Sequence, residues 1–351
     1  SSVEILQSLL KLAVIVSFLV DYGGNRLRLY AIIMAFAQLI QPVTYTVYCL
    51  IKEKRVTRWA FNSHWNDYKE IVVFTWWLLL GAVCVLGNNQ GAAVVINLFF
   101  GTVVNAAYGI ALQVQNYIFM FVRNLVQATT PQIMQNYSSG NEERSLMLVY
   151  KISKYCFLVM LIIGVPVIIS INEILHLWLG DVPRFTGIFV SFLLVNGLII
   201  CLNSGFDSLI QASGKIKKNQ IGYSLINISL IPIIYILYKC GCPCYINVII
   251  MILLSFSTIV FQCYIMKQVS RFKINDYLKA TIIPCFVTAI LASFAFILKF
   301  KNPTTDFCTL VANTLLSVLW VSFSVILLGL NKVERIKFRN IIVNKILKKN
   351  G

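Results

Sequence analysis

The stretch NAAYGIALQVQNYIFMFVRNLVQATTPQ, Asn105 to Gln132, decides how this chain must fold. It is long and apolar enough to cross a membrane, because a span needs about 20 mostly apolar residues. Yet glutamine, asparagine and arginine recur along it. On a helix with about 100° between successive residues, most of these polar residues fall within an arc of about 100°. We call this face the amide row; it consists of Asn105, Gly109, Gln113, Asn116, Arg123, Asn124 and Gln127.

The whole chain has the composition of a membrane protein. Its 351 residues are 58% hydrophobic and 12% charged, and the mean hydropathy is +0.79, whereas soluble domains are about 25% charged. Ten stretches have the length and apolarity of a span, at 5–21, 29–51, 68–87, 97–128, 150–173, 185–211, 217–239, 244–266, 278–298 and 307–330. They are too long and too continuously apolar for the alternating strands of a membrane barrel. The sequence therefore predicts an all-α fold, a polytopic helical membrane bundle.

The net charge of +17 is distributed as in a membrane protein and not as in a nucleic-acid-binding domain. Most of the 30 lysine and arginine residues lie in alternate loops, at 52–70, 123–154, 213–218, 267–279 and 331–351. Cytoplasmic loops carry such an excess of basic residues. Both ends of the chain are therefore predicted to be cytoplasmic, and no nucleic-acid partner is expected.

The amide row extends through the whole bilayer, because about 33 Å separate Asn105 from Gln127 along a helix. Polar side chains in spans usually face a bundle interior or a water-filled cavity, because exposing them to lipid is costly. One interpretation is that the row lines a cavity. The other is that its amides only bond to neighbouring helices.

Three charged residues within spans are candidate functional groups. Arg123 lies on the amide row, where its planar guanidinium would suit a phosphate, and Lys11 suggests the same role; either side chain could instead snorkel to the headgroups. Asp207 is a candidate site for a coupling ion, or a partner of Lys215 or Lys217. No pattern for catalysis, a metal or a cofactor is found, so the sequence does not predict an enzyme.

Several motifs resemble the bacterial lipid-linked polysaccharide flippases, the Wzx-type branch of the MATE-like superfamily. The matching residues are Phe100-Gly101, Asn105-Ala106-Ala107, Gly109-Ile110-Ala111, Gln113-Val114, Pro131-Gln132-Ile133, Tyr137, Gly140, Leu177-Trp178-Leu179-Gly180, Val182-Pro183 and the run from Ala212 to Lys217. The resemblance extends over essentially the whole chain.

The resemblance implies a transporter of two six-helix lobes with two further helices at the C-terminus. Residues 1–51 would be the last two helices of the first lobe, 52–67 a cytoplasmic linker, 68–266 the second lobe, 267–330 the additional spans and 331–351 a basic cytoplasmic tail. About four spans of the first lobe would then be missing from this chain.

The function implied by the resemblance is transport of an undecaprenyl diphosphate-linked oligosaccharide across the bacterial inner membrane, for lipopolysaccharide, capsule or exopolysaccharide synthesis. The expected partners are that substrate, membrane lipids and a coupling proton or sodium ion. In this scheme the amide row is the sugar path, and Arg123 and Lys11 hold the diphosphate. Two alternatives are a multidrug or ion antiporter of the same superfamily and a membrane glycan polymerase or ligase.

Overall fold

The computed structural model describes residues 26–52, 65–297, 307–336 and 340. Lys11, the predicted span at 5–21, most of the 52–67 linker and most of the 331–351 tail lie outside these residues. Within them, every regular element is helical. The helices are α1 Arg26–Lys52, α2 Trp65–Ser138, α3 Glu142–Ile169, α4 Ile171–Leu179, α5 Thr186–Cys201, α6 Phe206–Ala212, α7 Ile216–Ile228, α8 Leu230–Lys239, α9 Ile246–Val269, α10 Ile274–Tyr277, α11 Ile283–Ser293 and α12 Phe307–Ser324. Two short π-helical segments, Leu278–Ile282 and Val325–Gly329, precede α11 and follow α12.

The chain divides into two compact units, Ser1–Tyr68 and Lys69–Gly351. Of the first unit the structure describes α1 and the beginning of α2. The described side chains of α1 are largely exposed, including Phe36, Val43 and Ile51. The second unit contains the remaining helices.

Helix α2 is two helices joined at Gly101. Gly101 has φ 80° and ψ −179°, a conformation outside the helical region. Asn88 and Gln115 line the same crevice, although an unbroken helix would place them about 40 Å apart. The two arms of α2, residues 65–100 and 102–138, therefore lie side by side, and the chain reverses at Gly101.

Six helical segments of the described chain are long and apolar enough to cross a membrane. They are Tyr68–Ser138, Glu142–Ile169, Ile216–Lys239, Ile246–Val269, Ile274–Ile297 and Phe307–Gly329. The pair α5 and α6, bent by 42° at the break between them, makes a seventh if it forms one span. These segments confirm the predicted all-α membrane bundle, while the count of ten spans and the two-lobe arrangement stay predictions.

Helix α3 is the centre of the second unit. In its most apolar stretch 67% of the residues are buried, against 28% or fewer in the other candidate spans. It packs against α5, α11 and α12. Since α11 and α12 contact α3 directly, the last two helices belong to the same compact unit as the helices before them.

A buried ion pair fastens the chain beyond α12 to this central helix; we call it the Lys154 junction. The Lys154 side chain is 2% exposed, and its Nζ lies 2.6 Å from Glu334 Oε2. The Tyr155 hydroxyl donates to Glu334 Oε1 at 2.8 Å, and the Asn331 backbone N–H donates to Glu334 Oε2 at 2.8 Å. Every charge in the junction therefore has a partner, as a buried ion pair requires.

Candidate functional site

The amide row lies on the open side of the C-terminal arm of α2. Gln113, Asn116, Arg123, Asn124 and Gln127 are exposed, and Asn105 is partly buried. The opposite face packs into the bundle, where Ala107, Ala111, Ile118 and Val122 are buried. The arm is thus amphipathic as the sequence predicts. Most side chains of its polar side are not buried by packing within the second unit.

Arg123 turns its side chain back along the row. Its Nη2 donates to the backbone carbonyl of Asn116 at 3.1 Å, seven residues earlier in the chain. Side chains on a helix lean towards its N-terminus, so the guanidinium lies over the row and not towards the C-terminal end of α2. The charge is exposed, and a ligand on the row could reach it.

A second polar feature, which we call the amide crevice, lies within the second unit. Its volume is about 280 Å³. Polar groups from both arms of α2 and from α5, α6, α7 and α9 line it, together with the segment between α5 and α6. They are Asn88, Asn89, Gln115, Asn116, Asn196, Asn203, Ser204, Asp207, Tyr223, Asn227, Ser255, Thr258 and Gln262. Asn116 belongs to both features, so the crevice opens beside the amide row.

The break between α5 and α6 sets Asp207 at the crevice. Gly205 ends this break and lies against α3, where an added Cβ would be 2.6 Å from Ile152 Cγ2 and 3.0 Å from the Val149 carbonyl oxygen. Only glycine fits such an approach without displacing the neighbouring backbone. The chain bends by 42° at this break, and Asp207 lies in the first turn of the helix that follows, α6.

Asp207 is held by amides and not by lysines. Gln262 Nε2 and Asn219 Nδ2 both donate to its Oδ1, at 3.0 Å and 3.3 Å. Its Oδ2 has no hydrogen-bond partner among the described residues. The alternative of an ion pair with Lys215 or Lys217 is not observed; Lys217 instead lies over the ring of Trp77, 5.4 Å from its centroid. Asp207 is exposed to the crevice, and its free oxygen can accept from a ligand there.

Other crevice amides are only partly used by the fold. Gln115 Nε2 donates to the Leu193 carbonyl at 2.9 Å, and Ser255 donates to Asn196 Oδ1 at 2.7 Å. By contrast, the buried Oδ1 atoms of Asn88 and Asn219 have no partner within the part of the chain that the structure describes. A buried polar atom without a hydrogen bond costs about 1–3 kcal/mol. Of the two residues only Asn88 lines the crevice, and a small rotation of its side chain would let water or a ligand there complete the bonding.

Of the residues predicted from the sequence, the crevice brings together Asn116 and Asp207. Asn105, Gln113, Arg123, Asn124 and Gln127 stay on the row, and Lys11 lies outside the described residues. Sequence reasoning missed Asn88, Asn196, Asn203, Asn227 and Gln262. Asn196, Asn227 and Gln262 are isolated amides in apolar segments. Asn88 begins the run Asn88-Asn89-Gln90 and Asn203 precedes Ser204, and these polar interruptions were the available signal. Their convergence depends on how separate helices pack, which a single helical wheel does not show.

Metal binding has no obvious site here, since no group of three His, Cys, Asp or Glu residues in the described chain is placed to hold an ion. Taken together, the helices and the crevice define a multi-pass α-helical membrane protein with a polar interior crevice. Comparison with protein-family models, curated proteins and solved structures finds no match to the chain.

Proposed function

We propose that this protein moves an undecaprenyl diphosphate-linked oligosaccharide across the bacterial inner membrane. The observation that carries the proposal is the amide row on the open side of α2. A helix of this length lies in the bilayer, and an exposed arginine there would cost about 2.5–3.5 kcal/mol on insertion scales if it faced lipid. The row is therefore expected to border a water-filled path.

The chemistry of the row suits the head of such a substrate. Sugar hydroxyls both donate and accept hydrogen bonds, and so do the side-chain amides of Gln113, Asn116, Asn124 and Gln127. The substrate's diphosphate is anionic, and the exposed guanidinium of Arg123 can bind it with two parallel hydrogen bonds. The polar head cannot cross hydrocarbon alone at a useful rate, because each unpaired polar group is costly there. The row lowers that barrier by replacing water.

The architecture in this proposal comes from the resemblance to the polysaccharide flippases. Residues 68–266 form the second six-helix lobe, 267–330 add two spans, and 1–51 belong to a first lobe, for ten spans in this chain. Rocking of one lobe against the other exposes the path to each side in turn. Both chain ends are cytoplasmic, Lys11 assists Arg123 at the loading side, and neither a cofactor nor catalysis is involved.

A second candidate is an ion-coupled multidrug antiporter of the same superfamily. The observation that favours it is Asp207, a carboxylate that is open to the crevice and has no cationic partner among the described residues. Asp207 would bind a coupling proton or sodium ion. In the first proposal, a proton on the same carboxylate would couple flipping to an ion gradient. A glycan polymerase or ligase has no such supporting observation.

Loss and rescue of glycan export test the proposal. Deleting the gene from its host should trap lipid-linked oligosaccharide in the cytoplasmic leaflet and remove the surface glycan, and the wild-type gene should restore both. Arg123→Lys keeps the charge but loses the planar fork, so export should fall, and Arg123→Gln should nearly abolish it. Normal surface glycan after deletion would refute the function. Full activity of both variants at normal abundance would remove Arg123 from it.

A further inference from the structure

The amide crevice within the second unit has the properties of a ligand site separate from the open row. Eight of its polar lining residues are asparagine or glutamine. None of the described residues that line it is a lysine or an arginine. Its volume of about 280 Å³ is just below the range of about 300–1,000 Å³ that is typical of small-molecule sites. Neither an anion nor a large apolar molecule is matched by such a lining.

We propose that the crevice binds one or two sugar rings, and that it is the site at which the substrate's glycan is recognised. This inference rests on the proposed function and specifies where the sugar is held. The open row then serves as a path, while the crevice beside it holds the sugar during transport. Asn116 lies on both, so a sugar can pass from one to the other without leaving polar contacts.

The pattern of donors and acceptors favours a sugar. A hydroxyl needs both an acceptor and a donor nearby, and an amide side chain supplies both. The crevice offers an exposed acceptor at Asp207 Oδ2. The side chains of Asn88 and Asn89, which make no hydrogen bond among the described residues, add two amides to the lining. The rings of Phe119 and Tyr223 complete the lining with flat apolar surface. An amide-rich wall with one carboxylate and aromatic rings matches the mixed polar and apolar faces of a sugar.

The same geometry argues against a bare cation as the principal ligand. Hard cations are held by several oxygens that converge on one point. At Asp207 the two closest side chains, Asn219 and Gln262, present N–H groups to the carboxylate instead of oxygens. The Gln262 Oε1 atom is already occupied, since it accepts from Asn203. A crevice of this size also greatly exceeds the volume of one ion.

Saturation-transfer NMR on the purified full chain in detergent tests the inference. The probes are glucose, galactose, mannose and N-acetylglucosamine, each as the free sugar at millimolar concentration. At least one should receive saturation from the wild-type protein. Asn88→Leu should weaken its binding about tenfold, the change expected for one lost hydrogen bond. If none of the four sugars binds the wild-type protein, the inference is wrong.

Asn247→Leu is the matched control. Asn247 is fully buried and both polar atoms of its side chain are unpartnered in the described chain, like the Asn88 oxygen, but it does not line the crevice. This variant should bind sugar as the wild type does. Equal weakening by both leucine variants would show a general effect of packing and would overturn the assignment. Melting temperatures of both variants establish that they are folded.

A cation is the competing outcome and has its own measurement. Sodium chloride and choline chloride should stabilise the wild-type protein equally. Stabilisation by sodium alone, lost in Asp207→Asn and accompanied by no sugar binding, would make the crevice an ion site instead. If the protein binds sugar but glycan export is intact after its gene is deleted, the sugar site is supported and only the flippase function is refuted. Normal flipping without sugar binding would refute only the site.

Discussion

The amide crevice and the Lys154 junction are both polar sites inside an apolar bundle, but they differ in whether their polar groups have hydrogen-bond partners within the chain. At the junction, the Glu334 carboxylate has three donors, and the buried lysine faces one of its oxygens. In the crevice, the Asn88 oxygen and one oxygen of Asp207 have no partner among the described residues. Polar groups that all have partners within the chain stabilise the fold, whereas polar groups without such partners can bind a ligand or water.

The largest effect is expected at the junction. Glu334→Gln leaves the buried charge of Lys154 without its partner, which costs about 3–5 kcal/mol. Lys154→Met should cost less, because Glu334 is partly exposed and keeps the donors Tyr155 and Asn331. Denaturant unfolding in detergent should show this loss. The double variant Lys154→Met, Glu334→Leu removes both charges and should recover most of it. A single variant as stable as the wild type would show that the pair does not hold the chain beyond α12 to α3.

The second-largest loss of stability is expected at Gly101, where the chain reverses within α2. Gly101 has φ 80° in open space, where an added Cβ meets nothing within 4 Å. The cost of Gly101→Ala is therefore backbone strain alone, about 1–3 kcal/mol. Gly109 also has no neighbour within 4 Å but lies inside the C-terminal arm. Gly109→Ala should be neutral or stabilising by up to about 1 kcal/mol. Similar melting temperatures for the two variants would contradict the reversal at Gly101.

Acid should weaken the junction by a smaller amount. Burial raises the pKa of Glu334, but the hydrogen bonds from Lys154, Asn331 and Tyr155 lower it by more than burial raises it. The pKa of Glu334 is therefore below its usual 4.5. A carboxyl with a lowered pKa stabilises the fold above its unfolded pKa and loses that contribution as the pH falls through the folded pKa. Stability should therefore drop below about pH 4.5. The drop should be absent in the double variant; an equal drop there would assign it to other carboxyls.

The smallest effect on stability is expected in the crevice. Asn88→Leu removes a buried acceptor that has no partner in the described chain, so the fold loses no hydrogen bond. The melting temperature should stay the same or rise slightly. A loss of more than about 1 kcal/mol, typical of a broken hydrogen bond, would mean that Asn88 is part of the structure and that the crevice resembles the junction.

Features that depend on the helical periodicity of a single segment could be predicted from the sequence. The spacing of Ala107, Ala111, Ile118 and Val122 identifies the buried side of the C-terminal arm, because helical periodicity is a local property. The same reasoning could not find the Lys154 junction, whose two charged residues are 180 positions apart. It also found Asp207 but offered only the nearby lysines as possible side-chain partners, because sequence proximity does not show that Gln262 and Asn219 reach the carboxylate.

The direct test of the whole account compares two leucine substitutions in the host that makes the glycan. Asn88→Leu and Asn247→Leu each replace a buried amide that has unpartnered atoms within the described chain, one inside the crevice and one away from it. At equal abundance in the membrane, surface glycan should fall severalfold with Asn88→Leu and stay at the wild-type level with Asn247→Leu. Wild-type glycan with both variants, or an equal loss with both, would contradict the claim that the open polar groups of this bundle serve a transported sugar.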